Sequence, residues 1–155
     1  MKKQSGFTLV ELIIVIILLG ILAVSASSRL LGLQGDAQIA GLQGLQSALK
    51  ASSDIVYAKA ILENATASGD TTLSSGIRIR YGYPYATQSN LAEVLDFTED
   101  DWKLSGSAPE VTFTYEKQTS DLTVAEINGA DICKLVYRHP NQGEQPTIEI
   151  LGCDN

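Results

Sequence analysis

The residues best placed to do chemistry lie at the start of the chain, where one acid interrupts a long apolar run. The sequence begins MKKQSG and continues FTLVELIIVIILLGILAVSASS, in which Glu11 is the one ionisable side chain. A basic hexapeptide followed by about 22 mostly apolar residues predicts a leader and a membrane helix. An ionised carboxylate inside a bilayer costs about 2.5 to 3.5 kcal/mol, so Glu11 requires a partner.

The position of Gly6 indicates what that partner is. Cleavage after Gly6 would make Phe7 the first residue of the mature chain, and its free amine would be a cation four residues before Glu11. The two groups would then lie on about the same face of a helix. Pairing between this amine and Glu11, in one subunit or between neighbouring subunits, would remove the cost of burying both charges.

Residues 6–11, GFTLVE, resemble the prepilin processing motif of type IV pilins and type II secretion pseudopilins. The resemblance implies cleavage between Gly6 and Phe7, methylation of the Phe7 amine, and a Glu11 that registers each subunit against its neighbour. It also implies partners, namely copies of the chain in a filament, a prepilin peptidase and methyltransferase, an assembly platform with its ATPase, and an outer-membrane secretin.

Two other interpretations of the apolar run remain open. One is an ordinary membrane anchor with a stray acid, and the other is a secretory signal cleaved within residues 23–26, which would release a free domain. The apolar region of a signal peptide is uncharged and about 7 to 15 residues long. The signal-peptide interpretation therefore does not account for Glu11. Lys2 and Lys3 before the run, against Arg29 after it, predict a cytoplasmic N-terminus with the rest of the chain outside.

The charge balance argues against nucleic acid as a partner. The net charge is −7, and loss of Lys2 and Lys3 with the leader would lower it to −9. Such a surface repels phosphate groups, so no direct contact with nucleic acid is expected. The resemblance implies a subunit held in the inner membrane before assembly and in an extracellular pilus afterwards.

Helical periodicity continues beyond the apolar run and predicts one helix from Phe7 to about Leu62. The periodic core positions are Leu42, Leu45, Leu49, Val56 and Ala60. The predicted organisation is a leader over residues 1–6, a transmembrane and filament-core helix over 7–28, the amphipathic half of the same helix over 29–63, and a globular head over 64–155 with a C-terminal disulfide loop.

Alternating apolar residues predict the strands of that head. The predicted strands cover residues 77–85, 111–115, 122–127, 132–138 and 147–151, with turns at 117–121 and 128–129, a connecting loop over 64–76 and a short helix over 90–95. The expected fold is α+β, with the long helix packed on a four- to five-stranded, mainly antiparallel sheet. The resemblance implies the type IV pilin fold.

Cys133 and Cys153 are the two cysteines, and a chain exported beyond the cytoplasm is expected to pair them. The disulfide would hold the C-terminal tail and contribute about 3 kcal/mol. A tail clamped in this way is similar to that of type IV pilins, whereas major pseudopilins usually lack it. The short leader, the YGYP segment at 81–84 and Gly152-Cys153 resemble the mannose-sensitive haemagglutinin group of the type IVa pilins.

No catalytic residue, metal site or cofactor is predicted. His139 is the one histidine, and because it precedes Pro140 in a predicted loop we expect it to be solvated. The acidic residues of 96–101 lack the spacing of an EF-hand loop. Three tyrosines at 81, 83 and 85 suggest a platform for sugars, but packing in the core or at a subunit interface is favoured because they share a strand face with Ile77 and Ile79.

The chain is therefore expected to be a structural protein rather than an enzyme. The favoured function is that of the major subunit of a type IV pilus that serves adhesion and surface attachment. The alternatives are a pseudopilin of type II secretion and a minor pilin or tip adhesin.

Overall fold

The computed structural model describes residues 8–96, 101–116, 127 and 132–153, and over residues 26–35 it describes the backbone alone. The chain divides into two compact units, residues 1–37 and residues 38–155. Among the residues that the structure describes, no helix has both the length and the apolar character that crossing a bilayer takes. The predicted leader lies outside the described residues, and so does part of the predicted membrane segment over 7–28. Both stay predictions.

The first helix, α1 (Leu9–Leu62), ends where the sequence predicts. It ends because Asn64 adopts a left-handed conformation, with φ at 55°. The Asn64 N–H donates to the Ile61 carbonyl at 3.1 Å, and the Ala65 N–H donates to the Ala60 carbonyl at 2.8 Å. These two hydrogen bonds form a Schellman motif, which satisfies carbonyl groups that a helix end otherwise leaves open.

The predicted core face of α1 is confirmed. Leu42, Leu49, Val56 and Ala60 are at most 5% exposed, and Leu45 packs against the core from its edge. Leu42 and Leu49 belong to the larger of two apolar clusters, which also includes Phe113, Leu135 and Tyr137. Val56 and Ala60 belong to the smaller cluster, with Leu73 and Ile79.

A close contact between α1 and the sheet occurs at Gly41. The Tyr115 hydroxyl donates to the Gln38 carbonyl at 3.3 Å, and the Tyr115 ring packs on Trp102 with 4.3 Å between ring centroids. A Cβ built on Gly41 would overlap the Tyr115 hydroxyl oxygen. Glycine inside a helix costs up to about 1 kcal/mol relative to alanine, and at this position it admits the aromatic pair.

The described strands form two antiparallel sheets, which confirms the α+β class. The first sheet has the order β1-β2-β3, and its strands are β1 (Asp70–Thr72), β2 (Arg78–Arg80) and β3 (Tyr83–Pro84). A short helix, α2 (Gln88–Leu95), follows, as predicted. The second sheet has the order β4-β5-β6-β7, and its strands are β4 (Trp102–Ser107), β5 (Glu110–Tyr115), β6 (Lys134–Arg138) and β7 (Thr147–Leu151).

The prediction of one continuous strand over residues 77–85 is wrong. The chain reverses at Tyr81 and Gly82, whose φ angles are 50° and 89°, so that β2 pairs with β3 through Ile79 and Pro84. A Cβ on Gly82 would lie within 3 Å of the Tyr57 ring, and glycine is therefore required at the turn. Of the predicted strand over 122–127, the structure describes only residue 127, where Ile127 is buried and helical rather than extended. Residues 122–126 and the predicted turns at 117–121 and 128–129 lie outside the described residues.

Two strands have no counterpart in the sequence prediction. β1 lies inside the segment that was expected to be a loop, and β4 precedes the first predicted strand of the second sheet. The sequences of these strands, DTT and WKLSGS, contain few large apolar residues. Among the strands that the structure describes, both lie at sheet edges, and an edge strand does not require a full apolar alternation.

The expectation that His139 is solvated is also wrong. The side chain is 9% exposed, and its Nδ1 accepts the Ala86 N–H at 3.2 Å. Its ring packs on the ring of Tyr85 at 4.6 Å between centroids. Burial, and then the nearby Arg80 guanidinium, lower the pKa of His139. His139 is thus a neutral acceptor that joins the segment after β6 to the segment after β3.

The three tyrosines at 81, 83 and 85 do not form a row. Tyr83 is buried and stacks on Tyr57 at 4.6 Å, whereas the Tyr85 ring contacts the His139 ring and the Arg78 guanidinium. Arg80 lies over Tyr81 at 5.5 Å. These contacts agree with the predicted packing role of the tyrosines.

Candidate processing and assembly site

The residues that the sequence predicts as the processing site lie at the edge of what the structure describes. Gly6 and Phe7 lie outside the described residues, so cleavage between them and methylation of the Phe7 amine stay predictions. Thr8 is the first described residue, and α1 begins directly after it. Glu11, the predicted registration residue, lies in the first turn of α1.

Thr8 and Glu11 are joined by three hydrogen bonds, two donated by Thr8 and one donated by Glu11. The Thr8 N–H and the Thr8 hydroxyl donate to Glu11 Oε2 at 2.9 and 2.8 Å. The Glu11 N–H donates in return to the Thr8 hydroxyl oxygen at 3.4 Å. This arrangement is a capping box, in which a threonine before the helix and an acid three residues later satisfy each other's backbone donors.

The capping box adds Thr8 to the functional residues that the sequence analysis named. The sequence carries the signal of this box, Thr-x-x-Glu directly before an apolar run, which the charge of Glu11 alone does not indicate. Both bonds from Thr8 end at Oε2, so Thr8 leaves Oε1 of Glu11 to another donor. The pair therefore fixes the position of the carboxylate without supplying the positive charge that would neutralise it.

The apolar part of α1 around Glu11 is exposed in the part of the chain that the structure describes. Every valine, leucine and isoleucine from Leu9 to Val24 is exposed, by between 45% and 76% of its surface. Soluble monomers rarely expose a continuous apolar surface of this kind, and such surfaces mark contacts with protein or membrane. Glu11 is the acid within this surface, and its described partner is Thr8.

A second feature named by the sequence lies at the other end of the chain. Cys133 and Cys153 form a disulfide across 20 residues, and the bond closes the segment that contains β6 and β7. Gly152 has a φ of 70°, and a Cβ at that position would overlap the Ile132 carbonyl oxygen. The tail is thus held by a covalent bond and by a close backbone contact that requires glycine.

The described residues offer no site for a metal ion. Within residues 8–96, 101–116, 127 and 132–153, no three histidine, cysteine or acidic side chains come together as metal ligands would. The acidic residues of 96–101 lie only partly in this range, with Asp96 in a left-handed conformation at the end of α2.

Comparison with known proteins identifies the amino-terminal segment. Residues 1–27 match the family model of the prokaryotic N-terminal methylation motif, and the match includes Gly6, Phe7, Thr8 and Glu11. No curated protein and no solved structure matches the chain. The matched segment is the one whose described part carries the capping box and the exposed apolar surface.

Proposed function

We propose that this chain, which carries the leader of type IV pilins and pseudopilins over residues 1–27, is the major structural subunit of a type IV pilus. The motif supports a type IV pilin or pseudopilin and points to a structural subunit rather than an enzyme. It also implies processing by a prepilin peptidase and assembly into a pilus-type filament. The subunit is held in the inner membrane and is then polymerised into an extracellular filament for surface attachment.

The observation that carries this proposal is the exposed apolar surface from Leu9 to Val24 with one carboxylate at its beginning. Transfer of this segment from lipid to a bundle of identical helices brings little net hydrophobic gain, because both surroundings are dry. The specificity of assembly must then come from packing and from the charge of Glu11. A processed Phe7 amine, from the same or a neighbouring subunit, is the cation that would complete the pair.

The disulfide favours a pilus subunit over the pseudopilin alternative. Cys133 and Cys153 close the C-terminal tail of the head, and a disulfide persists in the oxidising surroundings outside the cytoplasm. Such a tail is similar to that of type IV pilins. In this proposal the chain depends on partners that it does not encode, which are the prepilin peptidase and methyltransferase, the assembly platform with its ATPase, and the secretin in the outer membrane.

The test is the composition of material sheared from cells that express the full chain. Mass spectrometry should find a chain that begins at methylated Phe7 and contains the disulfide, and electron microscopy should show filaments made of it as their main protein. Filaments built from chains that keep residues 1–6, or that begin after residue 28, would contradict the proposal. Absence of the chain from sheared filaments, with secretion lost on its deletion, would favour the pseudopilin.

A further inference from the structure

Two arginines of β2 place a surplus of positive charge on the head of an acidic chain. Arg78 and Arg80 each donate one hydrogen bond to Asp70, through different carboxylate oxygens and both at 3.3 Å. Their side chains are 48% and 31% exposed. We name these two side chains the arginine pair. In the described part of the chain two cations thus share one anion, although the whole chain carries a net charge of −7.

Asp70 leaves much of the hydrogen-bonding capacity of the arginine pair unused. An arginine and a carboxylate commonly meet through two parallel hydrogen bonds of about 2.7 to 2.9 Å. Asp70 instead divides its two oxygens between two guanidinium groups, with one longer bond to each. The Nε of Arg80 is buried and finds no acceptor among the residues that the structure describes. The protein therefore satisfies neither guanidinium completely.

Tyrosine rings hold both guanidinium groups in place. The Arg78 guanidinium carbon lies 3.9 Å from the centre of the Tyr85 ring, and that of Arg80 lies 5.5 Å from the centre of the Tyr81 ring. A guanidinium that lies over a ring uses its face for this contact and keeps the N–H groups along its edge for hydrogen bonds. A ligand at that edge meets side chains that are already ordered, so binding costs less entropy.

His139 reports that the surplus charge is positive at this place. Burial is the largest cause that lowers the pKa of His139. Of the charged groups that act on its ring, Arg80 and Arg78 lower the pKa further, whereas Asp70 raises it. The two cations and the one anion thus act together on a neighbouring side chain, and His139 itself stays neutral and adds no charge.

We propose that the arginine pair is a binding site for one singly charged oxyanion group, a carboxylate or a sulfate ester, on a small ligand. One negative charge completes the balance of the two arginines with Asp70. The oxygens of such a group fit the N–H edge of a guanidinium. A polyanion is disfavoured, because each charge beyond the first meets a chain whose net charge is −7. This site goes beyond the proposed function, since it lies on the head and requires no filament.

Titration of the full chain in uncharged detergent micelles tests the site. The probes are acetate, which carries a carboxylate, methyl sulfate, which carries a sulfate ester, and acetamide, the uncharged analogue of acetate. Sodium chloride keeps the ionic strength constant. The measurement is the NMR signal of the Nε–H groups of Arg78 and Arg80. We expect acetate or methyl sulfate to shift both signals with saturation below about 100 mM, and the tighter of the two identifies the preferred group.

Acetamide should leave the two signals where they are. Shifts that acetamide produces equally, or the absence of a shift with both charged probes, would overturn the proposal. The same titration with Arg138→Gln provides a matched control, because Arg138 is an exposed arginine that pairs with Glu110 in the second sheet. Affinity for the charged probe should be unchanged in this variant. A loss as large as that in an arginine-pair variant would also overturn the proposal.

Two variants of the site should change the affinity in opposite directions. Arg80→Gln removes one cation and should weaken binding of the charged probe about tenfold. Asp70→Asn removes the carboxylate that competes with the ligand, and it should strengthen binding about tenfold. A gain of affinity cannot result from a misfolded head. An affinity that stays the same or falls in Asp70→Asn would show that the three side chains form an ion-pair cluster only, which would overturn the proposal.

Other occupants of the arginine pair give different results. Binding of heparin, a sulfated polymer, without binding of either small charged probe would assign the pair to a polyanion and overturn the proposal. Loss of filaments in Arg80→Gln, with no shift on addition of acetate or methyl sulfate, would assign the pair to acidic side chains of another copy and would overturn it as well. The proposed function depends on filaments of the unmodified chain, so a failed titration leaves that function standing.

Discussion

Two regions of this molecule use the same apolar residue types in opposite ways. In the apolar part of α1, from Leu9 to Val24, valine, leucine and isoleucine side chains are all exposed. In the unit over residues 38–155, Leu42, Leu49 and Phe113 are fully buried among strands and helices of the same chain. The second region completes its own core, whereas the first requires lipid or other copies of the chain to cover it.

The difference shows how one chain can serve as both a membrane-held precursor and a building block. A region that completes its own core folds once and keeps its contacts, and a region that depends on others can exchange one set of neighbours for another. If this distinction is correct, substitutions in the amino-terminal segment should affect assembly, and substitutions in the head should affect unfolding. Five substitutions or conditions test the distinction.

The largest effect is expected from Glu11→Ala. Removal of one partner from a buried charge pair costs about 3 to 5 kcal/mol, so filaments should be nearly absent while the amount of chain in the membrane is unchanged. The measurement is the ratio of chain in sheared filaments to chain in the inner membrane.

Thr8→Val separates this effect from helix capping. It removes the hydroxyl that bonds Glu11 and keeps the backbone donor, so the cost should be that of a lost cap, about 1 kcal/mol. A filament yield for Glu11→Ala equal to that of the unmodified chain would show that charge pairing at this residue plays no part in assembly.

Loss of the disulfide should destabilise the head by about 3 kcal/mol, since the bond closes a loop of 20 residues. The double variant Cys133→Ala with Cys153→Ala is unfolded by denaturant as the full chain in detergent micelles. Trp102, the one tryptophan, reports unfolding because it packs against Tyr115.

Reduction of the unmodified chain provides the control for the double variant and should shift the unfolding midpoint by a similar amount. The helical signal from the apolar segment should persist in both samples, because that segment does not depend on the tail. Identical midpoints with and without the disulfide would refute a stabilising role for it.

Asn90→Ala should destabilise the head by about 2 to 3 kcal/mol, because it removes three hydrogen bonds that a buried side chain makes to part-buried backbone groups. The Asn90 amide nitrogen donates to the carbonyl groups of Arg78 and Tyr85, both at 2.9 Å, and its oxygen accepts the Arg78 N–H at 2.8 Å. The exposed Asn141 supplies the matched control, and Asn141→Ala should change the unfolding free energy little. Comparable losses in the two variants would contradict the role of Asn90 in joining α2 to the hairpin of β2 and β3.

The smallest expected effect is the loss of stability of the head as the pH is lowered. Burial, followed by the charge of Arg80, lowers the pKa of His139 in the folded head. Below a pH of about 6.5 the unfolded chain therefore binds more protons than the folded one, and stability should fall as the pH drops towards the lowered pKa. His139→Gln should remove most of this slope between pH 6.5 and 5 in denaturant titrations. A slope that stays the same in the variant would assign the pH dependence to other groups.

The parts of the fold that depend on local periodicity were predictable from the sequence. The end of α1 and its core face followed from apolar residues at spacings of three and four, and β7 was predicted with its observed bounds, residues 147–151. The hairpin of β2 and β3 was not predicted, because the alternation continues through Tyr81 and Gly82 although the chain reverses there. Periodicity of two does not distinguish an extended residue from a turn that preserves the alternation.

Features that depend on contacts between residues far apart in the chain could not be predicted from the sequence. The burial of His139 depends on Ala86 and Tyr85, which lie more than fifty residues earlier in the chain. The capping box at Thr8 was different, since both of its residues lie within one turn and its motif is local. The charge of Glu11 alone does not indicate the capping box, because a capping hydrogen bond requires no cation.

The contact at Gly41 links two residues that lie far apart in sequence. With the Tyr115 hydroxyl directly above Gly41, a larger residue at 41 requires the aromatic side chain to move or to be lost, and loss of the aromatic ring removes the need for glycine. Evolution should therefore have changed these two positions together. Among homologous chains that keep this helix and this strand, we expect covariation in which glycine at the first position accompanies tyrosine at the second.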